Sequence, residues 1–275
     1  MSDDPRALLR QLETRARKRF GQHFLTRPET VDRIVRGARV EPGDRVVEIG
    51  PGLGILTRAL LRAEAKVTAV ELDRDLAAYI REALPEVTLI EGDAARVDWA
   101  TVVEPGAKVV ANLPYNVGTK VLMQMLRTPD RFASITVMLQ KEVVDRLMAS
   151  PNSRQYGALT VEAAVRGEPV YVMTVEPGAF HPPPKVRSAV IRFDVFEGGA
   201  RVGTVEPRFF DKVVKAAFSQ RRKTLTNSMG GLFDKEAIAR ALSDRGLPAQ
   251  ARAESLTVDD FRAIAAALAE AGTAQ

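Results

Sequence analysis

Apolar and polar positions along this chain follow two rhythms. Between residues 45 and 140, short β-branched runs recur: RVVEIG (45–50), KVTAVEL (66–72), VTLIEGD (87–93), KVVANLPY (108–115) and SITVMLQ (134–140), alternating with stretches of helical periodicity. Strand-helix alternation predicts a mostly parallel sheet with helices on both faces. The rhythm changes at PVYVMTVEPGAF and SAVIRFDVF, two strand patterns joined by a proline-rich connection with no room for a helix. These predict an antiparallel pair at the sheet edge. Upstream, residues 6–19 read as a charged helix, followed by the turn-like FGQHFL and a helix beginning near Pro28. After EGGARVGTVEP (197–207) the patterns are helical only: FFDKVVKAAFSQRRKTLTNSM, DKEAIARALSDRG and TVDDFRAIAAALAEAG.

The Gly-rich stretch at 198–203 is the expected domain boundary. It divides an N-terminal arm and α/β domain (1–200) from a small all-α domain (201–275). With 275 residues and 45% hydrophobic content, the chain can support two unequal cores. Lys and Arg number 40 against 35 Asp and Glu, a net charge of +5 that suits a polyanionic partner without establishing one. The absence of cysteine excludes disulfides, thiolate metal sites and a cysteine nucleophile, and two histidines, His23 and His181, argue against a histidine-built metal site. The polar N-terminus lacks a signal-peptide core, and no run reaches the roughly 18 apolar residues of a membrane span. The expected location is the cytoplasm.

Chemistry concentrates where the predicted strands end. The first ends in Glu48-Ile49-Gly50-Pro51-Gly52-Leu53-Gly54, directly before a helix pattern. Glycines let backbone turn sharply and approach a ligand closely. The spacing G-x-G-x-G is not the G-x-G-x-x-G that seats a pyrophosphate. Glu48 would repel a diphosphate but favour a cation such as a sulfonium with its amino group. The second strand ends at Glu71, about 20 residues past the glycines, where an acid can accept both hydroxyls of an unphosphorylated ribose. The third ends in Glu91-Gly92-Asp93-Ala94, offering a carboxylate to the amino group of an adenine ring. Each feature alone also fits a tight turn or a solvated loop acid. Together they favour S-adenosylmethionine over NAD, and a Rossmann-like fold of the kind that binds it.

The fourth strand ends in Asn112-Leu113-Pro114-Tyr115. An adenine amino group is a poor nucleophile because its lone pair is delocalised into the ring. Two acceptors, the Asn112 side-chain oxygen and the Leu113 carbonyl, would favour a pyramidal nitrogen, and Pro114 restricts the residue before it. This is alignment chemistry without a general base. Tyr115 would stack on one face of an extruded base, with Phe180 a candidate for the other. The alternative for either aromatic is a place in the core.

The segments RKRFGQHFL, VVEIGPGLGILT, AVELD, EGDA, NLPYNV, LQKEVVDRL, FHPPPKV and FSQRRKTL occur in this order almost from end to end. In them the chain resembles the KsgA-type (RsmA) small-subunit ribosomal RNA adenine dimethyltransferases, relatives of the Erm-type enzymes that methylate large-subunit RNA. The resemblance implies dimethylation of two adjacent adenosines near the 3' end of 16S rRNA during small-subunit assembly. The expected partner is 16S rRNA within a partly assembled small subunit, naked RNA being the alternative, and nothing in the sequence demands more than a monomer. Carried over by position, the family's cofactor contacts fall on His23, Leu25, Gly50, Glu71, Asp93 and Asn112. His23 stands where many relatives have Asn, and Asn116-Val117-Gly118-Thr119 departs from the usual NISTP-like run.

Two basic runs are candidate RNA contacts: Arg15, Arg17, Lys18 and Arg19 in the arm, and Arg221, Arg222 and Lys223 in the helical region. Lys141, Arg146, Lys185 and Arg187 join them only where they share a surface; each run alone also fits a solvated helix face. Three rivals remain at this level: an Erm-like target, an RNA-binding factor without catalysis, and a nucleotide-dependent oxidoreductase. Intact Glu71, Asp93 and NLPY oppose the second, and no nicotinamide pocket supports the third.

Overall fold

The computed structural model describes residues 23–273. The expected charged helix at 6–19 and the basic residues Arg15, Arg17, Lys18 and Arg19 lie outside them. The chain forms two compact units. The first runs to Val144 and resumes over Glu168–Gly199; the second combines Asp145–Gly167 with the residues from Ala200 onward.

The first unit is built on a seven-stranded sheet. In chain order its elements begin with β1 (Phe24–Leu25), α1 (Pro28–Gly37), β2 (Arg45–Ile49), α2 (Ile55–Arg62), β3 (Lys66–Glu71), α3 (Arg74–Ala83) and β4 (Thr88–Glu91). They continue with α4 (Trp99–Val102), β5 (Ala107–Asn112), α5 (Gly118–Leu126), β6 (Phe132–Gln140), α6 (Lys141–Leu147), which crosses into the second unit after Val144, β7 (Gly167–Val175), β8 (Phe180–His181) and β9 (Ser188–Val195). The sheet order is β4-β3-β2-β5-β6-β9-β7. The pairs β4/β3, β3/β2, β2/β5 and β5/β6 are parallel, while β9 runs antiparallel to β6. The two proline-linked strands thus fill the last two places at one edge.

Burial explains why these runs are strands. In β2, Val46, Val47, Glu48 and Ile49 are all buried, and in β5 so are Val109, Val110 and Ala111. A strand covered on both faces reads as a continuous apolar run, as parallel sheets require. The helices between them start on clear signals: Pro28 at the first turn of α1, and the Asp73 and Asp98 side chains accepting from Asp75 N–H and Ala100 N–H. Val31 and Ile34 of α1, Leu56 and Leu60 of α2, and Leu76 and Ile80 of α3 share one core with the sheet.

A second, two-stranded sheet was not legible from periodicity. β1 pairs antiparallel with β8, Phe24 opposite His181 and Leu25 opposite Phe180, and Thr26 N–H donates to Ala179 O at 2.9 Å.

The second unit is helical: α7 (Ala158–Ala164), α8 (Pro207–Ala217), α9 (Leu225–Met229), α10 (Lys235–Asp244) and α11 (Val258–Thr273). The long helix expected over FFDKVVKAAFSQRRKTLTNSM is broken. α8 stops at Ala217, and α9 begins at Leu225. Gln220 to Lys223 supply no apolar position to bury, so the chain turns there, while Phe218 stacks on Phe261 with ring centroids 5.5 Å apart. Asp145–Gly167, expected in the first domain, packs here: Tyr156, Val161 and Val165 join Phe210, Val213 and Phe261 in the second core. The Tyr156 hydroxyl donates to Leu256 O at 2.7 Å, and the buried Arg166 pairs with Asp211 at 2.9 Å.

Candidate functional site

The strand order reverses between β2 and β5: the chain lays β3 and β4 to one side of β2, then returns to place β5 and β6 on the other. In open α/β sheets the crevice outside the carboxyl ends of the strands at such a point is the favoured place for a ligand. Here a cleft opens at that edge. Its lining includes His23, Leu25, Glu48, Gly50, Gly52, Glu71, Asp93, Ala94 and Asn112 through Tyr115. Phe24, Leu72 and Asp73 also line it, residues whose patterns carried no functional signal.

The glycine loop forms one wall. Gly50 has φ +66, and a Cβ added there would meet open space rather than protein. The loop thus approaches the cleft with backbone alone. Gly54, at φ +75, starts α2 from the left-handed region that glycine favours.

Glu71 ends β3 at 6% exposure, and its two oxygens accept from Gly52 N–H at 3.2 Å and Asp73 N–H at 2.9 Å. A carboxylate has about four lone-pair sites, so each oxygen retains acceptor capacity while its orientation is held. Burial pushes this carboxyl up from the ordinary glutamate range, against the lowering effect of those backbone donors. Glu48 is more extreme. It is 1% exposed, its Oε2 has no hydrogen-bond partner among the described residues, and burial pushes its carboxyl up to about 8. Asp93 is partly exposed and anchored through its Oδ1 by Ala95 N–H.

The Asn-Leu-Pro-Tyr corner, at the end of the neighbouring strand β5, lines the same cleft. The Asn112 amide nitrogen donates to His23 O at 3.0 Å. A carbonyl can only accept, so the NH2 end points to His23 and the side-chain oxygen remains an acceptor. The turn closes on Pro114 O, which receives Gly118 N–H at 2.8 Å and Val117 N–H at 3.2 Å, and so does not use the Leu113 carbonyl. The Tyr115 hydroxyl hydrogen-bonds the buried Ser188 hydroxyl of β9, and burial raises its pKa. The His23 ring lies 5.4 Å from the Tyr115 ring at 33°, and its Nδ1 is 2.8 Å from Pro182 O.

Phe180 is a correction. It does not line the cleft: the β1/β8 pairing draws it into the core beside Phe24 and Ala179, at 4% exposure. In this conformation it is a core aromatic, and Tyr115 is the aromatic of the expected pair that the cleft receives. In the second unit, Arg221, Arg222 and Lys223 lie on the exposed turn between α8 and α9 rather than on a helix. Arg221 is engaged locally, donating to Arg154 O at 2.7 Å and lying 3.4 Å from Glu254. Among the described residues Arg222 and Lys223 form no ion pair. Lys185 and Arg187 are exposed ahead of β9.

The chain that builds this cleft matches a known set of proteins. Residues 13–270 match the family described as ribosomal RNA adenine dimethylase. The chain belongs to that family. It is 42% identical to the ribosomal RNA small subunit methyltransferase A of Syntrophotalea carbinolica over 91% of this chain and 96% of that one. With the protein of the same name from Thiobacillus denitrificans the identity is 44%, over 92% and 98%. Among solved structures, a dimethyladenosine transferase from Plasmodium falciparum aligns at TM-score 0.80 and 23% identity, covering 91% of this chain and 98% of that one, a likeness of fold. The 23S rRNA methyltransferase ErmE aligns at TM-score 0.66 and 25% identity, covering 90% and 99%. The Rossmann-like methyltransferase sheet with a helical C-terminal region is therefore the fold of this dimethylase-family chain. No helix among the described residues is long and apolar enough to cross a membrane.

Proposed function

We propose that this protein is an rRNA adenine N6,N6-dimethyltransferase that uses S-adenosylmethionine to methylate two adjacent adenosines near the 3' end of 16S rRNA during small-subunit assembly, as a cytoplasmic monomer. The observation that carries the reading is the shared cleft: the Asn112–Tyr115 corner faces the same space as Gly50, Glu71 and Asp93. The cofactor, when bound, supplies an electrophilic methyl group on a positively charged sulfur. Its fit is supported by the backbone-only wall at Gly50, the unpartnered Glu48 oxygen, and a lining that holds no lysine or arginine among the described residues to oppose a cation. Glu71 would hold the ribose, Asp93 and Ala94 the adenine, and His23, Leu25, Glu48, Gly50, Gly52 and Asn112 the remainder.

The residues of the corner divide the work of alignment. Asn112 and the Leu113 carbonyl would accept the two amino protons of the target adenine, turning the nitrogen lone pair toward the methyl group. Tyr115 would support the base by stacking, its ring fixed at the hydroxyl by Ser188. The proton leaving the methylated nitrogen passes to water, because that nitrogen becomes acidic once alkylated. Arg222 and Lys223, with the arm residues Arg15, Arg17, Lys18 and Arg19, would contact phosphates.

Mass spectrometry of small- and large-subunit rRNA, naked and in particles, after incubation with the protein and isotope-labelled S-adenosylmethionine tests the proposal. Label in two adjacent dimethyladenosines near the 3' end of 16S rRNA is expected. Label in 23S rRNA alone would move the target to the Erm type, and no label in any RNA would remove the activity.

A further inference from the structure

Glu48 lies one residue before the end of β2, buried beneath the cleft it helps to line. A buried carboxylate oxygen with no donor is unfavourable unless a ligand compensates it or the group stays neutral. Among the described residues, the surroundings of Glu48 offer no fixed cation. Thr57 of α2 presents a hydroxyl, and Glu71 of β3 acts on it with charge of the same sign. The other titratable residues of the lining are His23, Asp73, Asp93 and Tyr115. Four carboxyl groups thus border one cavity without a described lysine or arginine in its lining, and the most buried of them has an unused oxygen.

We propose that Glu48 is the residue through which the cleft senses the charge of its cofactor: neutral in the ligand-free protein and beside the uncharged thioether product, ionised beside the sulfonium donor. This rests on the methyl-transfer reading above and extends it from where the cofactor sits to how donor and product are told apart. Burial already holds the group up at about 8, so it is largely neutral near neutral pH without a ligand, and a nearby positive charge favours the ionised form. Charge balances through the cycle. On donor binding Glu48 gives its proton to solvent. In the transfer, the adenine nitrogen pair forms the new N–C bond, the C–S pair stays on sulfur, and the positive charge passes to nitrogen, which loses a proton to water. Glu48, now beside an uncharged thioether, takes a proton back from water. One cycle releases one proton per methyl group, and the product, which keeps its ammonium group, loses only the sulfonium's share of the attraction that held the donor.

Calorimetric titration near neutral pH in two buffers of different ionisation enthalpy, with S-adenosylmethionine and with S-adenosylhomocysteine, reads the proton count directly. The wild-type protein is expected to release close to one more proton with the donor than with the product. The donor-to-product affinity ratio should rise as pH increases toward about 8. In Glu48→Gln the proton difference should vanish and the affinity ratio fall by about tenfold. Thermal unfolding of Glu48→Gln without ligand checks that it folds; the wild-type proton count decides the matter even if it does not. Equal proton counts for the two ligands in the wild type, or a folded Glu48→Gln that keeps the difference, would overturn the inference alone. Binding of neither ligand by the wild type would overturn the functional reading and this inference with it.

Discussion

At Asn112 one hydrogen bond decides which end of an amide is available to a substrate. Its NH2 group is committed to His23 O at 3.0 Å, and the oxygen is left over. The same contact ties the corner to the segment entering β1. On the proposed mechanism Asn112→Ala removes an acceptor at the reacting nitrogen while leaving the second unit's exposed cations untouched. We expect single-turnover methylation to fall by about 10²–10³-fold, with RNA affinity within a few-fold of wild type; near-normal turnover would refute the role. Glu48 makes a different prediction, about stability. Its folded-state pKa, about 8, lies above the ordinary glutamate value of 4.5, so the empty protein gains stability from it below that ordinary value and loses that contribution as pH rises through the folded value. Thermal midpoints of the ligand-free wild type should therefore decline between about pH 5 and about pH 8. Glu48→Gln should show a shallower decline and a higher midpoint at the alkaline end. Glu71, also raised by burial, contributes in the same direction to the slope that remains. A variant with the wild-type slope would show that Glu48 does not titrate in this range.

The elements position the site through contacts that no local pattern announces. α5 starts directly over the corner, and a Cβ on Gly118 would lie 2.6 Å from Leu139 Cδ2 and 3.2 Å from Leu113 Cβ. Leu113 and Leu139 are each 1% exposed, so neither has room to retreat. Gly118→Ala should destabilise the first unit by about 1–3 kcal/mol, as overpacking does. It should also reduce turnover at temperatures where the variant is fully folded, because the backbone that presents the Leu113 carbonyl must shift. Equal turnover by folded variant and wild type would show that the corner tolerates the movement. The need for glycine here was invisible in NVGTK because one clashing atom belongs to β6, well downstream in the chain. The central strands β2 and β5, by contrast, were legible because burial on both faces writes a continuous apolar run. β1 and β8 were not, since two residues have no period, and Phe180 followed them: its placement depends on a pairing between segments more than 150 residues apart. The cleft acids were readable because each ends a strand, and parallel neighbours bring their ends to one edge.

The described residues fold as two units, and their membership sets what can be inferred from either. The Gly-rich stretch near residue 200 marks where the chain enters the second unit for the last time. The earlier visit, Asp145–Gly167, has no compositional break because its apolar positions continue the helical rhythm around them; only the partners of Tyr156, Val161 and Val165 reveal where they belong. The helical unit also resolves the basic run into unlike parts. Arg221 is used within the unit by Arg154 O and Glu254, whereas Arg222 and Lys223 are exposed. Reversing Arg222 and Lys223 together to Glu should weaken RNA binding and flatten its salt dependence. Removing one phosphate neutralisation lowers the slope of log affinity against log salt by about 0.7–0.9. Donor binding, measured calorimetrically without RNA, should be unchanged, because neither residue lines the cleft. Arg221→Ala should alter the slope less, since its guanidinium already has local partners. An unchanged slope in the double reversal would show that this turn faces solvent, and the phosphate contacts would then have to be sought elsewhere on the chain.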